Sequence, residues 1–212
     1  MNIKLNKYVA AIIGILLAIT VIASGCSPAA TPSPTAIPPT PTPDLIGLVK
    51  AYEDAFNRHD LEATMALFVD NATYKLGEWY TSVIKQLTSD YHNTLFGLNS
   101  VIQNTECTML NATVSCKVVL HHDCTEAAGM DGDHYTSDYI IENGKIGSFH
   151  ALELPEDYRA LNNLYDPMIT WAAKNNPEEW KKIWGLNGSL IYNFETGKIW
   201  AKGCRDYAAT KP

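Results

Sequence analysis

Once Cys26 is set apart, four cysteines remain, Cys107, Cys116, Cys124 and Cys204, and their number and spacing restrict the fold more than any other residue type in this chain. The chain opens on an export signal. Met1 to Lys7 is basic, Tyr8 to Ala23 is uncharged, and Ser24-Gly25 supplies small residues before a cut, so residues 1–25 read as a signal peptide. In an oxidising compartment an even set of cysteines favours disulfides, although four allow three connectivities. Strand-forming residues run from Val101 to Met109 and from Thr113 to His122, with a two-residue turn at Asn111-Ala112. Counting outward from that turn pairs Leu110 with Thr113, Met109 with Val114, Thr108 with Ser115, and Cys107 with Cys116. The last pair falls on a non-hydrogen-bonded site, where side chains stand closest. Cys124 is then left for Cys204, closing a long loop and tying the C-terminal segment to the sheet. Two alternatives stand beside this pairing: four reduced buried thiols, and a zinc site of His121, His122 and Cys124, which lacks the usual paired ligand spacing.

A cysteine directly at the cut makes Ala23-Ser24-Gly25-Cys26 resemble a bacterial lipoprotein signal. The resemblance implies cleavage before Cys26, diacylation of its sulfur, and a protein held on the extracytoplasmic face of a membrane. A single transmembrane anchor is the alternative, since an uncharged run from Tyr8 to Ala23 approaches the roughly 20 residues that cross a bilayer. Residues 26–43 are nearly all Pro, Thr, Ser and Ala and cannot build a core. At about 3.1 Å per residue such a polyproline tether reaches roughly 40–50 Å. Without Lys4 and Lys7 the mature chain carries 14 basic against 23 acidic side chains, a net charge of −9, which argues against nucleic acid as a partner.

From Asp44 onward the composition is that of a globular protein, whose length suits one domain with a C-terminal extension. Asp44 caps an amphipathic helix reaching His59, with Leu45, Leu48, Val49, Tyr52, Ala55 and Phe56 at helical spacing. Asp60 caps a second helix, Ala72 to Leu76 reads as a short strand, and a third helix is expected over Tyr80 to Phe96. Strands at His134–Glu142 and Lys145–Leu152 are joined at Asn143-Gly144, a strong hairpin signal.

The segment Tyr52 to Tyr74, with Asn57-Arg58-His59-Asp60 at its helix-to-helix corner, resembles the opening of SnoaL-like domains of the nuclear transport factor 2-like (NTF2-like) superfamily. Ala127-Ala-Gly-Met130 and Asn143-Gly-Lys-Ile146 resemble its closing strands. The resemblance covers residues 44–153 and implies an α+β cone, a curved antiparallel sheet wrapped around the N-terminal helices with a pocket at its open end. Residues 154–212 form a helical extension, with helices expected to start at Asp166-Pro167 and Asn176-Pro177 and a last one at Phe194 to Tyr207. Trp171, Trp180, Trp184 and Trp200 either roof the pocket or pack the added layer.

Alternation along the strands suggests which side chains face the pocket. Cys116, Val118 and Leu120 point inward and bring His122; Tyr135, Tyr139 and Ile141 share the inner face; Ile146 in phase leads to Ser148 and His150; Trp79 lies near the opening. The candidate ligand-binding set is thus Trp79, His122, Tyr135, Tyr139 and His150, with no metal and no cofactor. Polyketide cyclases and ketosteroid isomerases of the superfamily use a pocket aspartate or histidine as general base, so the resemblance implies His122 or His150 as base with Tyr135 or Tyr139 donating. No specific catalytic motif of either family is reproduced. Three classes of function follow: a binding module for a small apolar or amphipathic ligand or a protein partner, an extracytoplasmic isomerase, cyclase or hydrolase-like enzyme, and a dimeric scaffold joined through its exposed sheet face. Cys26→Ser should release the protein from membranes or leave it unprocessed; a mutant still running as a lipidated, mature-sized band would contradict the lipoprotein signal.

Overall fold

The computed structural model describes residues 44–77, 80–82 and 85–211; the export signal, Cys26, the tether and Trp79 lie outside the described residues. Leu45–Asn57 forms helix α1, burying Val49, Tyr52, Ala55 and Phe56 on one stripe, while the Asp44 carboxylate accepts from the Gly47 amide at 2.7 Å. His59 turns the corner in the left-handed conformation, donates from Nε2 to the Ser100 carbonyl at 2.8 Å and stacks on Phe96. Asp60 then caps α2, Leu61–Ala66, by accepting from Ala63.

Six strands follow: β1 (Phe68–Leu76), β2 (Tyr80–Ser82), β3 (Val101–Leu110), β4 (Thr113–His121), β5 (Asp133–Glu142) and β6 (Lys145–Glu153), in the order β2-β1-β6-β5-β4-β3. Neighbours are antiparallel except β1 and β6, which run parallel. The fold is the expected α+β class, a curved sheet with helices on its concave face. The third helix is shorter than its sequence suggests, since α3 spans Lys85–Gly97 and Tyr80–Ser82 pairs with Tyr74–Leu76 instead. Tyr and Thr favour extended backbone, and the buried Ser82 hydroxyl bonds Thr88 Oγ1 at 2.7 Å in the first turn of α3.

Both hairpins turn where expected, at Asn111 and at Asn143-Gly144, all three residues at positive φ. The register counted outward from Asn111 holds for Leu110, Met109 and Thr108, and then shifts, because Thr105 pairs with Lys117. Glu106, at φ 49°, and Cys107 together face Cys116, forming a bulge across which the Cys107–Cys116 disulfide closes. Such an extra residue bends its strand and raises the local twist, which is how this sheet curves.

Helix α1 covers the open edge of β3 with side chains acting as strand surrogates. Asn57 donates to the Ile102 carbonyl at 2.8 Å and accepts from the Ile102 amide at 2.7 Å, and Glu53 accepts from the amide and side chain of Asn104, each at 3.0 Å. Beneath it, His92 is fully buried and its pKa is lowered by burial to about 4, so the ring is neutral. Its Nδ1 lies 2.7 Å from the Thr88 carbonyl, which only accepts, so Nδ1 carries the proton and Nε2 accepts from Tyr52 at 3.0 Å.

After β4 a short helix, α4 (Asp123–Ala127), precedes β5, and the extension contributes α5 (Pro155–Asn175), α6 (Pro177–Trp180), a 3₁₀ turn (Lys181–Ile183) and α7 (Phe194–Ala208). The helix start expected at Asp166-Pro167 is corrected: α5 starts at Pro155 and continues through Pro167. Its inner stripe, Leu161, Leu164, Met168 and Ala172, spans the proline, and the Asn163 carbonyl that loses an amide partner belongs to an exposed residue. The Cys124–Cys204 disulfide joins α4 to α7 across 80 residues of chain, and Asp123 accepts a charged hydrogen bond from Arg205.

Helix α7 crosses α3 at a pair of glycines. A β-carbon on Gly197 would stand 2.1 Å from the Thr94 carbonyl oxygen, and one on Gly97 2.1 Å from the Phe194 carbonyl oxygen. Backbone atoms cannot rotate away, so the helices would have to separate. Gly197→Ala should lower stability by about 1–3 kcal/mol in urea unfolding; an unchanged midpoint would show that this crossing carries no tight contact.

Candidate functional site

The inner face of the sheet is filled rather than hollow. Tyr52, Tyr74, Tyr91, Tyr135, Tyr139 and Phe149 converge there, Tyr74 stacked on Phe149 at 4.6 Å, and the space left among them is about 30 Å³, enough for about one water. A cavity of about 350 Å³ lies farther out, between the end of the sheet and the C-terminal extension. Its walls come from Tyr91 and Leu95 of α3 and Leu98 just after it, Asp133 and Tyr135 of β5, Glu153 of β6, Leu161 and Tyr165 of α5, Trp200 of α7, and Leu190 and Tyr192 of the loop before α7. Tyr158, 51% exposed, also lines it. The size is that of a small-ligand site.

Three polar side chains meet on one wall because of strand geometry. Asp133 and Tyr135 are two residues apart on β5 and share its inner face, and Glu153 stands directly opposite Tyr135 on β6. Tyr135 donates its hydroxyl proton to Asp133 Oδ2. Asp133 is only 2% exposed, and its Oδ1 has no hydrogen-bond partner among the described residues; the Glu153 carboxyl lies beside Asp133 and donates to it only when protonated. Burial, together with the negative Glu153 and Asp157 nearby, pushes Asp133 up to about 8 despite the Tyr135 hydrogen bond, which acts the other way. Glu153 is raised too, again chiefly by burial. Two adjacent carboxyls in a poorly solvated site hold a proton between them at neutral pH. Asp157 is engaged elsewhere, accepting at 2.7 Å from both the amide and Nδ1 of His134.

Of the residues expected to face a ligand, Tyr135 and His122 line the cavity, Tyr139 and His150 do not, and Trp79 is outside the described residues. His122 is occupied structurally. Its Nδ1 accepts from the amides of Cys124 and Thr125 at 3.2 Å each, capping α4, so the proton sits on Nε2, and burial lowers its pKa to about 4. With Cys124 in a disulfide, the alternative zinc set of His121, His122 and Cys124 does not assemble. Tyr139 is fully buried in the aromatic core and donates to Asn104 Oδ1 at 2.7 Å.

His150 is corrected to the outer face, where its Nε2 meets Ser148 Oγ at 2.9 Å. The cause is a bulge: Ile141 pairs with Ile146 but Ile140 with Ser148, so Gly147 is extra and the alternation counted from Ile146 inverts. Phe149, Ala151 and Glu153 face inward instead. Asp133 was reachable from the sequence by stepping back two residues from Tyr135, whereas Glu153 was hidden behind that bulge. Of the four tryptophans considered as a roof, Trp200 lines the cavity and Trp180 is buried, stacked on it at 5.2 Å; Trp171 packs on Tyr207 and Trp184 is partly exposed.

No family model matches the chain, and no curated protein matches it. Solved structures similar to it include an NTF2-like protein of unknown function from Cytophaga hutchinsonii, at 14% identity over 57% of this chain and 98% of that one with a TM-score of 0.46. A putative polyketide cyclase from Xanthomonas campestris is similar at 18% identity over 55% of this chain and 95% of that one, with a TM-score of 0.45. A putative ketosteroid isomerase from Kribbella flavida is similar at 12% identity over 52% and 77%, with a TM-score of 0.43.

The buried acid and the buried histidines oppose each other in their effect on stability. Asp133 rises from 3.8 unfolded to about 8 folded, so the unfolded chain holds fewer protons between these values and stability falls as pH rises toward 8. His92 and His122 fall from 6.5 to about 4, so the unfolded chain holds more protons there and stability climbs from pH 4 to 6.5. Urea unfolding should therefore show a maximum near pH 6.5 and a decline of about 1–2 kcal/mol by pH 8. Asp133→Asn should flatten the alkaline side; a wild-type protein equally stable at pH 6.5 and 8 would contradict the raised acid.

Proposed function

We propose that this is an extracytoplasmic, lipid-anchored binding protein whose cavity takes a small amphipathic molecule. The observation that carries this reading is the cavity of about 350 Å³ with mostly apolar and aromatic walls and one polar corner at Asp133, Tyr135 and Glu153. Apolar walls supply affinity and a few convergent polar groups fix orientation. The two disulfides fit an oxidising compartment. Among the described residues no helix is long and apolar enough to cross a membrane, and anchoring is assigned to the lipid on Cys26, with residues 27–43 as the tether.

The other two classes receive less support. A catalytic His–Tyr pair needs a free imidazole in the cavity, but His122 spends its acceptor on α4 and His150 faces outward. The outer sheet face presents Lys117, Thr136, Asp138 and His150 around an exposed Leu152, a mostly polar surface poorly suited to a buried dimer interface.

Titration with ten-carbon aromatic alcohols, amines and carboxylic acids, followed by the fluorescence of Trp200 and its neighbours, should give saturable binding to at least one of the three. Asn162→Trp, which places a large ring into the cavity from a half-buried position on α5, should weaken it at least tenfold. No saturable signal with any of these probes, or identical binding in the blocked variant, would contradict the proposed function.

A further inference from the structure

We propose that the cavity selects amines, seating a protonated nitrogen against Asp133 and Glu153 and the apolar body of the ligand among the rings of α3, α5 and α7. This rests on the binding reading above and specifies the class of ligand. Charge in the cavity has one sign. Asp133 and Glu153 lie in its wall with Asp157 close behind, while among the described residues no lysine or arginine lines it. His122, the one imidazole in the wall, is neutral above about pH 4, and His134 is paired with Asp157 outside the lining. A carboxylate or phosphate ligand would therefore meet buried negative charge with nothing to offset it, and a neutral ligand would leave the acids as they are.

A cation alone meets three independent demands of the site. Asp133 Oδ1 lacks a partner among the described residues, and an ammonium N–H provides one. The acids hold their proton because burial disfavours two adjacent negative charges, and an arriving cation removes that penalty, so the proton can leave to solvent as the ammonium enters. The walls are aromatic: Tyr91, Tyr135, Tyr165, Tyr192 and Trp200, with Tyr165 edge-on to Trp200 at 5.6 Å and Tyr91 tilted against Tyr192 at 5.8 Å. Aromatic faces attract cations, the more so when water is excluded. The groups facing Asp133 are Tyr135 from its own strand, Glu153 from β6, and Asp157 and Tyr165 from α5, with Tyr91 of α3 beside Tyr135; burial raises the Tyr135 and Tyr165 hydroxyls, which stay neutral in this range.

The test compares 4-phenylbutylamine with 4-phenylbutan-1-ol, matched in length and ring, by isothermal titration calorimetry on the full chain in zwitterionic nanodiscs with empty nanodiscs subtracted. The amine should bind at least tenfold more tightly than the alcohol at pH 8.5, and its advantage should shrink severalfold at pH 6.5, where Asp133 retains its proton. Repeating the pH 7.5 titration in buffers of different ionisation enthalpy should show proton release on amine binding and none on alcohol binding. Asp133→Asn, an uncharged isostere that keeps the shape, should bring the amine-to-alcohol ratio close to one, and Glu153→Gln should lower it. Equal affinities at both pH values, or an amine preference that survives both substitutions, would overturn the inference while leaving the binding function standing on the alcohol. Failure of both probes to bind would overturn the inference, and failure of the matched carboxylic acid as well would overturn the binding function with it.

Discussion

A close backbone approach, Gly97 against Gly197, determines how the C-terminal extension is held over the site. The cone fills its own interior with tyrosine and phenylalanine rings, and the cavity described above lies where the C-terminal extension is held over the sheet's end. Two glycines let α7 lie against α3 with carbonyl oxygens where a β-carbon would otherwise be. The Cys124–Cys204 bridge then fixes the same helix from its other end. Hydrophobic burial alone would tolerate sliding between helices; a covalent tie plus a contact that admits no β-carbon does not. Trp200, carried on α7, therefore reaches one position over the cavity rather than many.

Within that enclosure, electrostatics follow from strand pairing. Antiparallel register sets Tyr135 opposite Glu153 and alternation sets Asp133 beside Tyr135, so two acids and a phenol converge without any loop having to be ordered around them. Rigid strands hold the carboxyls close although their charges repel, and the cost appears as raised proton affinity. Other polar side chains are satisfied inside the fold, His92 between Thr88 and Tyr52 and Asn104 between Tyr139 and Glu53. Asp133 shares with the Ser100 and Ser137 hydroxyls a buried oxygen without a partner among the described residues, and differs from both in being a carboxylate in the wall of the cavity.

What could be read from the residues was local or nearly so. Asp44 and Asp60 as caps, Asn111 and Asn143-Gly144 as turns, and three successive cross-strand pairs of the β3–β4 hairpin all depend on backbone preferences spanning a few residues. The inward phase of β4 and β5 was also legible, because uninterrupted alternation carries it from one end to the other. Where a bulge intervenes the count fails: Glu106 shifts the register before Cys107, and Gly147 turns His150 out and Glu153 in. An extra residue in one strand is defined by its partner strand, so its own sequence gives little sign of it.

The amino-acid sequence by itself thus determined the helix and hairpin boundaries near their caps and turns and the pairing of cysteines that an even count and one hairpin imply, while the curved α+β architecture was implied by its resemblance to SnoaL-like domains. Tertiary structure alone decided where the empty space lies and which groups surround it. Continuation of α5 through Pro167, the tyrosine-filled cone and the meeting of Asp133 with Glu153 each depend on contacts between segments far apart in the chain. Local propensity reports what a segment prefers in isolation, whereas a cavity is what remains after every segment has been packed against the others.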